Sequence, residues 1–286
     1  LAARLALFLV GLLLGAAAGR PPQRIVSTAP SITEILFAIG AGPRVVGVTR
    51  YCHFPPQVRK LPKIGSYLQP NIEAILALKP DLVVAPKTPL HSRSRFDAVG
   101  LPTVEVSYDS LADVLASIDR LGKATGLEEN ARRLAQQIRR ELESIGRLTA
   151  GRPRPSLLFV VGRTPGALEG LVAVGRASYL NEIIALAGGR NAFEDAHAAY
   201  PKISAEEVLA RDPDVIVDMG DMSDTDHVTE QQKQAVVALW NRFPQLKAVR
   251  NRRVYAVASD IYVVPGPRVV QLAREFQRML HPDLTR

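Results

Sequence analysis

The sequence predicts an α/β protein of two Rossmann-like lobes, each with a mainly parallel sheet, joined by one long α-helix and facing each other across a cleft. Three observations carry this. Residues 73–84 (EAILALKPDLVV) and 206–217 (EEVLARDPDVIV) are one pattern written twice, with Glu, Leu, Ala, Pro, Asp and the closing Val in register. Each copy reads as a short helix, a Pro-Asp break and a buried β-branched strand, one copy per half of the chain. Short runs too apolar to face water alternate with helical segments, the signature of a parallel sheet covered on both faces. Between the halves, residues 128–148 carry apolar side chains at 131, 134, 135, 138, 142, 145 and 148, a helical period. At 1.5 Å per residue that helix spans about 30 Å, the width of a small domain.

The elements follow in order. Residues 24–27 form a strand, and Ser31 caps a helix over 32–39 that stops at Gly40-Ala41-Gly42. Residues 44–48 make a second strand, and Asn71 caps the first repeat helix. Strands follow at 82–85 and 103–106, which completes a lobe over 20–110. The connecting segment, 111–150, holds a helix over 111–124, a break at Gly126, and the long helix. Gly151-Arg-Pro-Arg-Pro155 ends it, since proline removes the donor a helix needs. The second lobe, 151–286, restarts with a strand at 157–161 and a helix at 179–187 closed by Gly188-Gly189. The second repeat then spans 204–217, a strand covers 253–257 and a last helix 267–280. The segment Glu34-Ile-Leu…Gly40 also matches Glu182-Ile-Ile…Gly188. A helical joint resists bending, so a modest tilt between lobes is expected rather than a wide hinge.

Residues 1–19 read as a secretory signal peptide: Arg4, an apolar run over 5–14, then small residues. The run is short for a membrane span, and a retained N-terminal membrane anchor is the alternative. A periplasmic address is therefore expected. The lone cysteine, Cys52, excludes an intrachain disulfide. The net charge is +8, but its arginines are scattered rather than striped, which argues against nucleic acid. An anionic ligand or an acidic membrane surface fits that charge better.

Motifs for catalysis are missing. The chain has no G-x-S-x-G elbow, P-loop, H-E-x-x-H or dinucleotide fingerprint. Glu73 and Glu206 fall at the same early helical position behind the caps Asn71 and Ser204. Favourable interaction with the helix dipole accounts for both. Their matched placement offers a second reading, two anionic knobs presented to a basic partner. Open α/β sheets bind ligands beyond the carboxyl ends of their strands. Those loops contain Tyr51, Cys52 and His53; His91, Arg93 and Arg95; Arg163; Asp221, Asp224, Asp226 and His227; and Asp260 with Tyr262. Tyr67 and Tyr200 precede the two repeat helices in proline-flanked loops, where they either line a cleft or cover lobe edges. Histidines 53, 91, 197 and 227 lie in loops and could converge on a metal, although no pair has a local ligand spacing. Cys52 is read as a loop thiol or a soft ligand.

Pro30-Ser-Ile-Thr-Glu-Ile, Val46-Gly-Val…Tyr51…Pro55-Pro56, Asn71-Ile-Glu…Leu-Lys-Pro-Asp-Leu-Val and Pro201…Ser204…Glu206…Val-Leu-Ala-Arg occur together in this order. The set resembles the periplasmic cobalamin-binding and ferric-siderophore-binding proteins of ABC importers, nearest to the vitamin B12-binding members. The resemblance implies the helix-joined two-lobe fold. It also implies that Glu73 and Glu206 are docking glutamates that meet arginines on a membrane permease. Cobalamin-binding members hold the corrin between aromatic side chains, several of them tryptophan. Here the corresponding places carry Tyr67, Pro86 and Tyr200. Trp240 is expected in a helical surface segment. Asp260 fits the family pattern, but the arginine that follows it is replaced by Val264.

The resulting expectation is a monomeric periplasmic substrate-binding protein with no cofactor, which hands a corrinoid to an ABC permease without chemical change. Tyr51, His53, Tyr67, Arg163, Tyr200, Asp260 and Tyr262 are its expected ligand contacts, with His53 a candidate for approaching a cobalt axial position. A ferric siderophore or haem is the alternative cargo. An exported metal-handling enzyme such as a chelatase, and a receptor-like module that reports ligand, are the rivals from other classes.

Overall fold

The computed structural model of the chain describes residues 20–87, 94–220 and 228–285. The expected signal peptide, His91, Arg93, Asp221, Asp224, Asp226 and His227 lie outside the described residues.

The first sheet is formed by β1 (Ile25–Ser27), β2 (Val45–Val48), β3 (Leu82–Pro86) and β4 (Thr103–Val106), in the order β2-β1-β3-β4 and parallel throughout. Helices α1 (Pro30–Ala38), α2 (Ile72–Ala77) and α3 (Ser94–Asp97) connect these strands. β3 is buried along its whole length, as a strand covered on both faces must be. The second sheet contains β5 (Ser156–Gly162), β6 (Leu171–Ala173), β7 (Arg190–Asn191), β8 (Lys202–Ile203), β9 (Val215–Asp218) and β10 (Val254–Ala256). Its order is β10-β9-β5-β6-β8, and β7 pairs with the start of β5. With β7, β5, β9 and β10 matched to β2, β1, β3 and β4, the parallel core of the first sheet recurs. β6 and β8 form an antiparallel extension. Helices α6 (Tyr179–Leu186), α7 (Ala205–Arg211), α8 (Glu230–Trp240), α9 (Lys247–Arg250) and α10 (Val269–Leu280) belong to this half. The short strands β6, β7 and β8 were not anticipated, because two or three residues are too few to show a period.

The repeated sequence has a repeated physical cause. Asp81 accepts the backbone N–H groups of Gln23 and Arg24 at 2.7 and 2.8 Å, at the entry to β1. Asp214 accepts that of Ser156 at 2.8 Å, at the entry to β5. In each half the aspartate of Pro-Asp therefore ties its own strand to the neighbouring central strand. The residue before each proline sits left-handed, with φ of 47° at Lys79 and 44° at Asp212. That conformation breaks the helix and turns the chain into the sheet.

A helical hairpin joins the halves. The helix α4 (Leu111–Thr125) ends at Gly126, whose φ of 68° suits glycine, and α5 (Glu128–Thr149) then packs back along it. A Cβ on Gly122 would stand 2.4 Å from that of Ala131, so the helices cross closely there. Ala131, Ala135, Ile138, Leu142 and Ile145 form the buried stripe of α5, facing α4, α6 and α10. Each buried Leu or Ile contributes roughly 1.5–3 kcal/mol relative to exposure. Leu148, expected on this stripe, is 57% exposed, at the rim of a groove shared with Gln277 and Arg278 of α10.

Candidate functional site

Each half presents tyrosines to the seam between the lobes. Tyr67 lies in the loop before α2, and Tyr200 immediately before Pro201 and β8. Although the two come from opposite lobes, each senses the other half. Burial raises the Tyr67 pKa, and the nearby Tyr200 and Asp109 raise it further. Burial also raises that of Tyr200; a hydrogen bond from Ser178 opposes this and Asp109 adds to it. Tyr200 exposes 47% of its surface, yet its hydroxyl is crowded, 3.3 Å from Ser178 Oγ. These phenols stay protonated at neutral pH and present O–H groups with aromatic faces. Tyr108 and Tyr179 lie deeper, and burial pushes both phenol pKa values well up. Their hydroxyls are buried without a hydrogen-bond partner that meets ordinary geometry.

The remaining expected residues divide. Tyr51 is 48% exposed, with the Arg50 guanidinium 5.2 Å from its ring centre, and His53 Nε2 lies 3.1 Å from the Arg50 carbonyl oxygen. Asp260 sits at the seam, 3.0 Å from Arg268. Arg268 also makes an ion pair with Glu34 of α1, in the other lobe, and lies 4.3 Å from the Phe54 ring centre. Asp109, Phe54, Arg268 and Glu34 are additions to the expected set. Tyr108 and Asp109 follow β4, so the strand-end rule that selected the other loops also reaches them.

Arg163 does not reach the cleft. Its side chain is 2% exposed, and Nε donates to both carboxylate oxygens of Asp218, at 3.2 and 3.0 Å. Trp240 is not on the surface either: it is 1% exposed, and its indole N–H donates to Asp218 at 2.7 Å. A buried aspartate at the end of β9 needs these donors, and so it draws both residues inward. Tyr262 is likewise a packing residue, 6% exposed, with ring centres 6.2 and 6.1 Å from Phe159 and Phe276. It lines a groove of about 760 Å³ along the β10 edge with Val237 and Met279, away from Tyr67 and Tyr200.

Cys52 is 1% exposed, its sulfur 3.2 Å from the hydroxyls of Thr33 and Thr49, and burial raises its pKa. It is a core thiol rather than a loop ligand. His197 is exposed. Among the described residues no group of three or more His, Cys, Asp or Glu side chains could hold a metal ion.

Glu73 and Glu206 are both exposed at the second position of their helices. Asn71 accepts from Ala74 N–H, and Ser204 forms a reciprocal capping box with Glu207. Hydrogen bonds from its own amide and from Ser204 hold the Glu206 carboxyl below its ordinary range. The helix N-terminus favours both carboxylates where they stand, and both side chains are exposed.

The sequence pattern of the periplasmic binding protein family matches residues 25–261. The chain belongs to that family. As a periplasmic binding protein it is 31% identical, over 275 residues, to the vitamin B12-binding protein of Pectobacterium carotovorum subsp. carotovorum strain PC1, covering 94% of this chain and 92% of that one. Its fold matches the periplasmic vitamin B12 binding protein BtuF of Vibrio cholerae with a TM-score of 0.77, at 25% identity over 93% of this chain and 99% of the other. The periplasmic heme-binding protein RhuT of Roseiflexus sp. RS-1 matches with a TM-score of 0.74, at 29% identity over 91% and 99%. Two α/β lobes with helices around parallel sheets are common to this set. The family is one of solute-binding proteins, whose members in ABC importers serve a membrane permease. Among the described residues no helix is long and apolar enough to cross a membrane.

Proposed function

We propose that this periplasmic binding protein captures a corrinoid between its lobes and delivers it, chemically unchanged, to the permease of an ABC importer. The observation that carries this reading is the match to a vitamin B12-binding protein along 94% of the chain. In this reading residues 20–110 and 151–286 are the two lobes and 111–150 the joint. The expected contacts reduce to Tyr51, His53, Tyr67, Tyr200 and Asp260, with Phe54 added. Aromatic faces suit a large flat ring, and the phenol O–H groups suit its amide rim. Glu73 and Glu206 offer one carboxylate from each lobe to permease arginines, a pairing that contributes more to orientation and encounter than to raw affinity.

Haem is the second reading, favoured by the 29% identity to a heme-binding protein and by tyrosines standing where tryptophans were expected. Equilibrium dialysis of residues 20–286 against cyanocobalamin, haemin and a ferric hydroxamate separates the cargoes. Retention of cyanocobalamin in preference to the other two supports the corrinoid. Preference for haemin or the hydroxamate replaces the corrinoid but keeps the binding-protein reading. Turnover of any of them would instead support the exported enzyme.

A further inference from the structure

Glu34 is 3% exposed on α1 of the first lobe, and its carboxylate grips Arg268, just ahead of α10 in the second. Arg268 Nε donates to Glu34 Oε2 at 2.9 Å and NH2 to Oε1, a two-pronged pair with fixed geometry. The same guanidinium holds Asp260 of its own lobe at 3.0 Å and lies 4.3 Å from the ring centre of Phe54, again from the first lobe. The chain closes tightly here: a Cβ on Gly266 would stand 3.0 Å from Glu34 Oε2. A second tie fastens the second lobe to the joint. Glu182 of α6, the sequence counterpart of Glu34, accepts the first N–H of α4, at Leu111, at 3.0 Å.

We propose that Arg268, clasped by Glu34 across the seam and by Asp260 beside it, is the positioning residue that fixes the angle between the lobes. It thereby fixes the spacing of the docking helices α2 and α7. Two lobes on a helical hairpin can tilt, and a bidentate pair between them permits one separation and one orientation. Arg268 also touches two cleft residues, Phe54 and Asp260, so a solute resting on either acts directly on the tie.

The groups acting on Glu34 are few. Arg268 and Asp260 face it from the second lobe, and Tyr179 at the start of α6 senses its charge. Arg44, beside α1, is directed instead to the carbonyls of Pro22 and Thr125. β1, β2, β3 and α4, which also pack on α1, add no charge that moves it. Desolvation raises the Glu34 pKa to about 7, with Arg268 opposing and Asp260 assisting. Arg268 responds oppositely: burial works against its charge, but the hydrogen bonds it donates to both carboxylates outweigh that and raise its pKa. The arginine stays charged, and the proton that comes and goes sits on Glu34.

The test uses Ala77 and Ala210, exposed residues at equivalent repeat positions on α2 and at the end of α7. Spin labels on A77C/A210C, with buried Cys52 left unlabelled, report the lobe-to-lobe distance by pulsed electron resonance. At pH 8 the parent gives one narrow distribution. Glu34→Gln and Arg268→Met displace it or widen it, as for lobes freed to tilt on their hinge. Lowering the parent from pH 8 to 5.5 moves it toward the Glu34→Gln distribution, whereas Glu34→Gln itself does not respond. If Arg268→Met fails to fold, the isosteric Glu34→Gln decides alone. Distributions that overlay the parent at both pH values overturn the proposal. The docking consequence rests on the proposed function, but the distance measurement does not: failure of that reading would appear in transport by a Glu73/Glu206 variant.

Discussion

Glu34 makes the stability of this protein depend on pH in a direction opposite to that of most carboxylates. Its pKa is raised from 4.5 to about 7 in the folded chain. The native state therefore binds this proton more tightly than the unfolded state. Its contribution is fully present below pH 4.5 and is lost as pH rises through about 7. The interval is about 2.5 pH units, and at 1.36 kcal/mol per unit the loss is about 3 kcal/mol. Glu34→Gln removes the titration but keeps the shape. Urea unfolding of parent and variant at half-unit steps from pH 4.5 to 8 measures the effect. Trp240, 1% exposed, is the built-in fluorescence probe of the second lobe. The parent-minus-variant difference should fall by about 3 kcal/mol across the window, carboxylates distant from Arg268 cancelling because they occur unchanged in both proteins. A difference constant to about 0.5 kcal/mol, the usual limit of additivity, would refute the reasoning.

Other outcomes follow from the same contacts. Asp218→Ala should cost about 3–5 kcal/mol in urea unfolding, because it leaves Arg163 charged and unpaired in the core. Asp214→Ala should cost about 1–3 kcal/mol, the penalty for an unsatisfied buried donor at Ser156, and more than Asp81→Ala at the exposed Gln23 and Arg24. The double change Glu73→Ala with Glu206→Ala should leave solute affinity unchanged and abolish uptake into vesicles that carry the permease. Normal uptake would remove the docking assignment. Phe54→Ala should weaken solute binding about tenfold by equilibrium dialysis, the loss of an aromatic anchor worth about 1.4 kcal/mol.

The lobes were legible in the sequence because their causes are local. Short β-branched runs mark the central strands, and Pro-Asp precedes β3 and β9. The stripe along α5 records the surfaces it covers. The placement of Tyr67, Tyr200 and Asp260 in loops at the seam was legible, because local proline and strand signals fix those loops. The site was misread where a distant partner decides. Nothing near Arg163 or Trp240 in sequence announces Asp218, whose burial draws both of them into the core. Arg268 went unnoticed for the same reason: its importance comes from Glu34, which lies in the other lobe. Cys52 follows a strand as a loop residue would, but Thr33 and Thr49 enclose it.

Calorimetric titration of residues 20–286 with cyanocobalamin, on the parent chain and on Tyr67→Ala with Tyr200→Ala, decides whether the protein carries a corrinoid between its tyrosines. The parent should bind one-to-one and saturably, at about 1 µM or tighter, and the double variant should lose at least about tenfold. Absence of binding to the parent, or equal affinity in the two proteins, would contradict corrinoid binding between the tyrosines.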